Sequence, residues 1–237
     1  LAFPLLVLTP YIQHLPNAVL AVPILLAVVG LLTPRAFGHI WKASRADGLI
    51  AAATFLVTLV AAPHLDKGIM IGALLAIGHY LYRTMAPRVA ILGRHEDGTL
   101  RDVKVHTHLA TSSKVVVIRF DGSLYFANIA HFEDAVLGAL ADHREALYFL
   151  IVGDAINSID SSGEEMLHNL VAQLHQAGVE IVFSGLKKQI LDVMRITGLF
   201  TFVGEHNIFS NEDQALAAIA DRLGEEERCN ALFCRFP

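Results

Sequence analysis

The chain has 237 residues, enough for one or two domains, and 54% of them are hydrophobic. With a mean hydropathy of +0.50, this exceeds what a water-soluble chain carries, so part of the chain is expected to face lipid. The net charge of -5 hides a split: residues 1-86 hold seven formal charges (Arg35, Lys42, Arg45, Asp47, Asp66, Lys67, Arg83), whereas the other 34 fall after Ala86 and leave that half at -8. An acidic second half with no basic stripe excludes nucleic acid as a partner, because phosphate backbones require clustered Lys and Arg.

A membrane-spanning helix needs about 20 mostly apolar residues. Leu1 to Leu8 is too short alone and reads as the tail of a helix. With no initiator Met and no signal-peptide pattern, residue 1 is expected to lie inside a longer protein. Leu15 to Leu32, Leu49 to Ala62 and Ile69 to Tyr82 approach the required length, the last two with flanking extensions. Pro16, Pro23 and Pro63 fall at helix ends or kinks, where neighbours must satisfy freed backbone groups. Arg35, Lys42 and Arg45 lie in the first link, and Arg83, Arg88 and Arg94 at the last exit. Both flanks, and with them the half of the chain after the last exit, are therefore expected in the cytoplasm.

Gly68 and Gly72 have the spacing that lets helix backbones approach closely, and are expected to serve helix packing. His79, one turn from the basic exit, reads as an interfacial histidine rather than an intramembrane site.

After Pro87 and a linker of residues 87-109, the pattern becomes that of a water-exposed α/β domain. Val115 to Phe120 and Leu124 to Ala127 read as strands around an Asp121-Gly122 turn. Asn128 reads as the N-cap of a helix to about Asp142, with Phe132, Val136, Leu137 and Leu140 on one face. Leu147 to Val152 is a strand buried on both faces. Ser161 and Glu164 have capping-box spacing at the start of a helix that Gly178 stops after Ala177. Val179 to Phe183 is a strand, Lys187 to Thr197 a helix, and Asn211 to Leu223 a last helix with Ser210 and Asp213 at capping spacing. Glu225 to Arg228 reads as a solvated tail. The order β-β-α-β-α-β-α-α predicts a mixed sheet with helices mainly on one face.

Chemistry-bearing motifs are sparse. No nucleotide fingerprint, nucleophile elbow or zinc-protease motif occurs, so the reading is of a non-enzyme without cofactor. His106-Thr107-His108 alternates as a strand would but lacks a third ligand, and no metal site is assigned. Cys229 and Cys234 read as free thiols.

Three stretches in order carry a family likeness: Leu81-Tyr82-Arg83 with Pro87-Arg88-Val89-Ala90-Ile91-Leu92-Gly93-Arg94, then Arg119-Phe120-Asp121-Gly122-Ser123-Leu124-Tyr125-Phe126-Ala127-Asn128, then Ser158-Ile159-Asp160-Ser161-Ser162-Gly163. They closely resemble the end of SulP-family (sulfate permease type) anion transporters, where the last transmembrane helix leads into a cytoplasmic STAS domain. The resemblance implies the end of an inverted-repeat membrane domain in residues 1-86, a linker at 87-109, a STAS domain over 110-224 and a C-terminal tail at 225-237.

It further implies the last gate helices of a secondary active inorganic anion (sulfate-like) transporter, without the substrate site. The implied partners are the lipid bilayer, the missing core domain, the anion bound by the whole protein, a second copy in a homodimer and a cytoplasmic protein docking on the STAS domain. The membrane is the plasma or inner membrane. In anti-sigma-factor antagonists, which share the STAS fold, the matching loop is phosphorylated on the serine that corresponds to Ser162. The implied regulatory or ligand-binding loop is therefore Asp160, Ser161, Ser162 and Gly163. The plainer reading of these residues is a helix cap, and Glu164 and Glu165 would repel a phosphate there. A membrane-tethered STAS module that moves nothing is the alternative for the whole chain.

Overall fold

A computed structural model describes residues 33-224 and a few isolated positions between 19 and 26. Leu1 to Leu8, most of Leu15 to Leu32, the Glu225 to Arg228 tail, Cys229 and Cys234 lie outside the described residues. The chain divides into two compact units, Leu1–His79 and Tyr80–Pro237.

In the first unit, α1 (Pro34–Ala43) begins with a proline in its first turn, where no backbone N–H is needed. Ser44 ends α1 and starts α2 (Arg45–Val60), its hydroxyl accepting a hydrogen bond from the backbone N–H of Asp47 at 3.2 Å. The link expected to carry Arg35, Lys42 and Arg45 therefore contains a helix of its own. Leu49 to Ala62 falls largely in α2 and Ile69 to Tyr82 in α3 (Leu65–Met85). At roughly 1.5 Å per residue α2 is about 24 Å long, short of the roughly 30 Å hydrocarbon core. α3 is longer, but Asp66, Lys67 and Arg83 occupy its end turns. Among the described residues no helix is long and apolar enough to cross a membrane.

The second unit is built on a six-stranded sheet in the order β2-β1-β3-β4-β5-β6. β1 (Val89–Arg94) pairs antiparallel with β2 (Leu100–Asp102) and β3 (Val115–Phe120). β3, β4 (Tyr148–Val152), β5 (Glu180–Ser184) and β6 (Ile208–Phe209) run parallel. The segment 87-109, expected as a linker, thus supplies two strands. Leu124 to Ala127 is not a strand: a single parallel bridge joins Leu124 to Ile159. His106 to His108 is an exposed bend with His108 at φ 64°, not an edge strand.

One face of the sheet packs on α4 (Ile129–Asp142), α5 (Ser161–Gln176), α6 (Lys188–Thr197) and the short α7 (Leu199–Val203), which sequence reading missed. Val116, Ile118, Phe120, Phe149, Ile151 and Phe183 point to this side, and Phe120 meets Phe132 edge-on at 4.9 Å. Residues of the opposite parity, Val115, Val117, Leu150, Val152 and Val182, pack on α8 (Glu212–Leu223) through Ala215, Leu216 and Ile219. This two-sided cover explains why β3, β4 and β5 read as continuous apolar runs. In α4, Phe132, Val136 and Ala139 are buried, whereas Leu137 is exposed.

Three cap assignments change. Asn128 precedes α4 but makes no capping bond. Asp160, not Ser161, caps α5, and Asn211, not Ser210, caps α8 by accepting from Gln214 N at 2.9 Å. In each case the spacing was right to within a residue, but the capping residue must itself be extended, a backbone fact that spacing alone does not reveal.

Candidate functional site

β4 delivers the chain to the loop at the C-terminal end of the parallel strands. Asp160 organises that loop from both ends of its carboxylate: Oδ1 accepts from Gly163 N at 2.8 Å and Oδ2 from Phe126 N at 3.0 Å. Its own backbone N–H donates to Leu124 O, and Leu124 N donates to Ser158 O. The two stretches 123-126 and 158-163 are therefore stitched together. Gly163 is required by this closeness, since a Cβ there would lie 2.8 Å from the Leu124 carbonyl oxygen.

Ser161 is exposed and Ser162 half-buried, and among the described residues neither hydroxyl has a hydrogen-bond partner. Ser162 opens onto a groove between α4 and α5, lined also by Ile129, Glu133, Glu165, Met166 and Asn169. The structure thus brings Asp160 and Gly163 into one cap and leaves both serines outside it.

The sequence-predicted packing glycines lie in the other unit. Gly68 and Gly72 are the buried residues of α3. A Cβ on Gly68 would strike Thr58, and one on Gly72 would strike Thr54, both on α2. Those threonines turn their hydroxyls back onto their own helix, Thr54 to Ile50 O at 2.8 Å and Thr58 to Thr54 O at 2.7 Å, so an apolar contact carries no orphan donor. His79 Nε2 lies 3.7 Å from Asp47 Oδ1 within the same unit.

Sequence reading missed a cluster in the second unit. Asn128 is 1% exposed and spends its whole amide: Oδ1 accepts from Tyr125 N at 3.1 Å, while Nδ2 donates to Ser123 O at 2.8 Å and Thr84 O at 3.4 Å. His131 Nε2 lies 3.0 Å from Pro87 O, and Asp121 N donates to Arg88 O at 2.9 Å. The carbonyls of Thr84 and Pro87, where α3 ends, are thus met by side chains around the start of α4, and that of Arg88 by a backbone N–H of the loop after β3. Asn at an N-cap position hides this role, because cap and clasp require the same residue type.

Charge is also arranged around the β2 edge of the sheet and under α8. Burial alone would raise the Asp102 carboxyl, but the Lys104 N–H and the Arg88 guanidinium together hold it below the usual carboxylate value. Hydrogen bonds from Thr99 hold Asp97 far below its usual value. Across the sheet, Arg94, nearly fully buried, reaches Asp213 Oδ1 at 2.6 Å and joins β1 to the first turn of α8. Burial, and then the neighbouring Asp154, push the Glu212 carboxyl up. Among the described residues no group of His, Cys, Asp and Glu has the arrangement to hold a metal ion.

Comparison with known proteins matches these two units separately. Residues 1-54 match the Sulfate permease family and residues 106-215 the STAS domain. Probable sulfate transporter 4.2 of Arabidopsis thaliana is 27% identical over 216 residues, covering 86% of this chain and 32% of that protein. High affinity sulfate transporter 2 of Stylosanthes hamata is 24% identical over 223 residues, covering 90% and 33%. The chain spans about a third of the length of these relatives.

The structure of murine Solute Carrier 26 family member A9 anion transporter, in the inward-facing state, superposes with a TM-score of 0.77 at 21% identity. That likeness of fold covers 92% of this chain and 36% of the murine one. Along the chain a match to the Sulfate permease family is thus followed by a match to the STAS domain, and the curated relatives similar to nearly its whole length are sulfate transporters.

Proposed function

We propose that this chain is the C-terminal part of a secondary active transporter of inorganic, sulfate-like anions, lacking the substrate site itself. Residues 1-86 supply gate-domain helices, 87-109 the connection, 110-224 a regulatory STAS domain in the cytoplasm and 225-237 a tail. The observation that carries the reading is the succession, on one chain, of a sulfate permease match and a STAS match, in a fold that superposes along nearly its whole length on an anion transporter. The basic exit at Arg83, Arg88 and Arg94 supports a cytoplasmic STAS domain by the positive-inside bias. A homodimer in the plasma or inner membrane accompanies this reading.

Within it, the loop Asp160 to Gly163 is a regulatory contact whose state biases the gate. Ser162, with a free hydroxyl at a helix N-terminus, is its modifiable member, and Glu164 and Glu165 set the electrostatic cost of a phosphate there. Uptake by the full-length protein carrying Ser162→Ala or Ser162→Glu tests this. A change in either variant supports regulation, and wild-type uptake and partner binding in both reduce the loop to a cap.

The function itself is tested in proteoliposomes. The full-length protein is expected to take up labelled sulfate saturably, with competition by related anions, and the present chain alone to take up none. Saturable uptake by this chain alone overturns the assignment, as does an inactive but well-folded full-length protein tried across the inorganic anions.

A further inference from the structure

The residues of α1 (Pro34–Ala43) divide between two opposite faces. Phe37, Ile40 and Trp41 lie at i, i+3 and i+4, so they share one side of the helix, and they stand 38–42% exposed. Arg35, His39 and Lys42 lie at i, i+4 and i+7 on the other side, and all three are exposed. Residues 33-46 hold Arg35, Lys42 and Arg45 and no acidic residue. Among the described residues none of these three bases makes an ion pair.

The helix also leaves the line of α2. Ser44 between them is extended, at φ -150° and ψ 115°. A Cβ on Gly48 would lie 3.3 Å from Trp41 Cα and 2.6 Å from its Cε3, whereas a straight helix holds residues seven apart at roughly 10.5 Å. α1 is therefore folded back against the first turn of α2, with Trp41 at the joint. At roughly 1.5 Å per residue it is about 15 Å long, half the thickness of a hydrocarbon core. It is too short to cross a bilayer, yet it joins two segments that read as membrane helices, Leu15 to Leu32 before it and α2 after it.

A short helix with bases on one face and Phe, Ile and Trp on the other matches a bilayer surface, where the apolar face enters the acyl boundary and the basic face meets headgroups. Charge decides between this occupant and a groove in a protein. A groove accounts for the apolar face alone, whereas an anionic surface accounts for both faces and for the lack of acids.

We propose that α1 is an interfacial helix, lying in the cytoplasmic surface of the membrane with Phe37, Ile40 and the exposed edge of Trp41 among the acyl chains, and with Arg35 and Lys42 drawing anionic phospholipid headgroups around it. The inference rests on the reading of residues 1-86 as membrane helices with cytoplasmic basic flanks.

The test attaches a bimane fluorophore at Ile40→Cys or His39→Cys, one at a time, in the full-length protein with its other cysteines replaced by serine. The protein is held in nanodiscs of equimolar phosphatidylcholine and phosphatidylglycerol, with bromine on the acyl chains of one lipid or the other. At Ile40 lipid bromine is expected to quench strongly and aqueous acrylamide weakly, and at His39 the reverse. Brominated phosphatidylglycerol is expected to quench the Ile40 label more than brominated phosphatidylcholine does. Arg35→Gln combined with Lys42→Gln abolishes that difference, and Arg144→Gln, an exposed arginine of the second unit, preserves it. An Ile40 label open to acrylamide leaves α1 in water, and one reached by neither quencher sets it against protein. Like quenching at Ile40 and His39 denies the two faces. Equal quenching by the two lipids, or a difference that survives the double substitution, removes the anionic headgroup. Each of these results overturns the proposal. Failure here with intact sulfate uptake removes the interfacial helix alone; lipid contact at α1 without uptake of any anion leaves it standing and removes the transporter reading.

Discussion

The two units bury opposite kinds of residue. In Tyr80–Pro237 the interior is large and apolar, with Phe120, Phe132, Phe149 and Leu170 all at 0% exposure. In the described helices of Leu1–His79 the buried residues are glycines, Gly48 on α2 with Gly68 and Gly72 on α3, while Leu56, Leu59 and Leu74 stand 60–63% exposed. The first arrangement is what water imposes, since it gains from every apolar area removed from solvent. The second is what an apolar solvent permits: with no hydrophobic drive between helices, close backbone contact at small residues holds them together and large side chains face outward. The same leucine therefore has a different meaning on each side of the chain.

The contrast is broken or sharpened most strongly in the sheet. Phe149→Ala removes a side chain packed on every side and is expected to destabilise the second unit by about 3–5 kcal/mol. Denaturant melts followed by limited proteolysis read this, and a shift no larger than that of a surface substitution would deny the core. In the first unit the sensitivity is inverted. Gly72→Leu forces a side chain into Thr54 and is expected to cost about 1–3 kcal/mol of helix association, whereas Leu74→Ala changes little. Disulfide trapping between cysteines placed on α2 and α3 distinguishes these outcomes.

A smaller effect is expected at the loop. Asp160→Ala loses both the cap of α5 and the tie to Phe126, for about 1–2 kcal/mol, while Ser161→Ala stays within about 0.5 kcal/mol. Equal effects of the two would return the capping role to Ser161.

The weakest test is titration of stability against pH. Asp102 has a folded value below its ordinary 3.8, so its contribution is complete above that value and is lost as pH falls through the depressed one. Glu212 has a folded value above its ordinary 4.5, so its contribution is complete below 4.5 and is lost as pH rises through the raised one. Asp102→Asn should flatten the acid limb of the profile, and Glu212→Gln the decline on the other side.

What was legible in the sequence follows the same divide. β3, β4, β5 and the four longer helices of the second unit were readable because apolar periodicity there reports burial in water. β1 escaped because Val89 to Arg94 follows a Pro-Arg exit and reads as linker, and β6 because two residues carry no period. Leu124 to Ala127 misled through its composition: apolar and aromatic residues sit there to be stitched to Ile159 and Asp160, not to extend a sheet.

At the candidate loop, residue types identified the segment, but whether Asp160 or Ser161 caps the helix depended on backbone angles. The clasp at Asn128 was invisible because its partners are backbone N–H and carbonyl groups, which carry no residue signature. In the first unit the Gly68 and Gly72 spacing marked a close approach, while its partners Thr54 and Thr58 had no signature of their own.

The central claim is that the large apolar side chains of α2 and α3 face lipid while the second unit faces water. Spin labels at Leu56, Leu74 and, for contrast, Lys188, introduced one at a time into the reconstituted full-length protein with Cys229, Cys234 and every other native cysteine replaced by serine, measure this directly. Labels at Leu56 and Leu74 are expected to collide with dissolved oxygen and to be shielded from an aqueous nickel chelate, and the label at Lys188 to behave in the opposite way. Ready access of the nickel chelate to Leu56 and Leu74 would contradict the account.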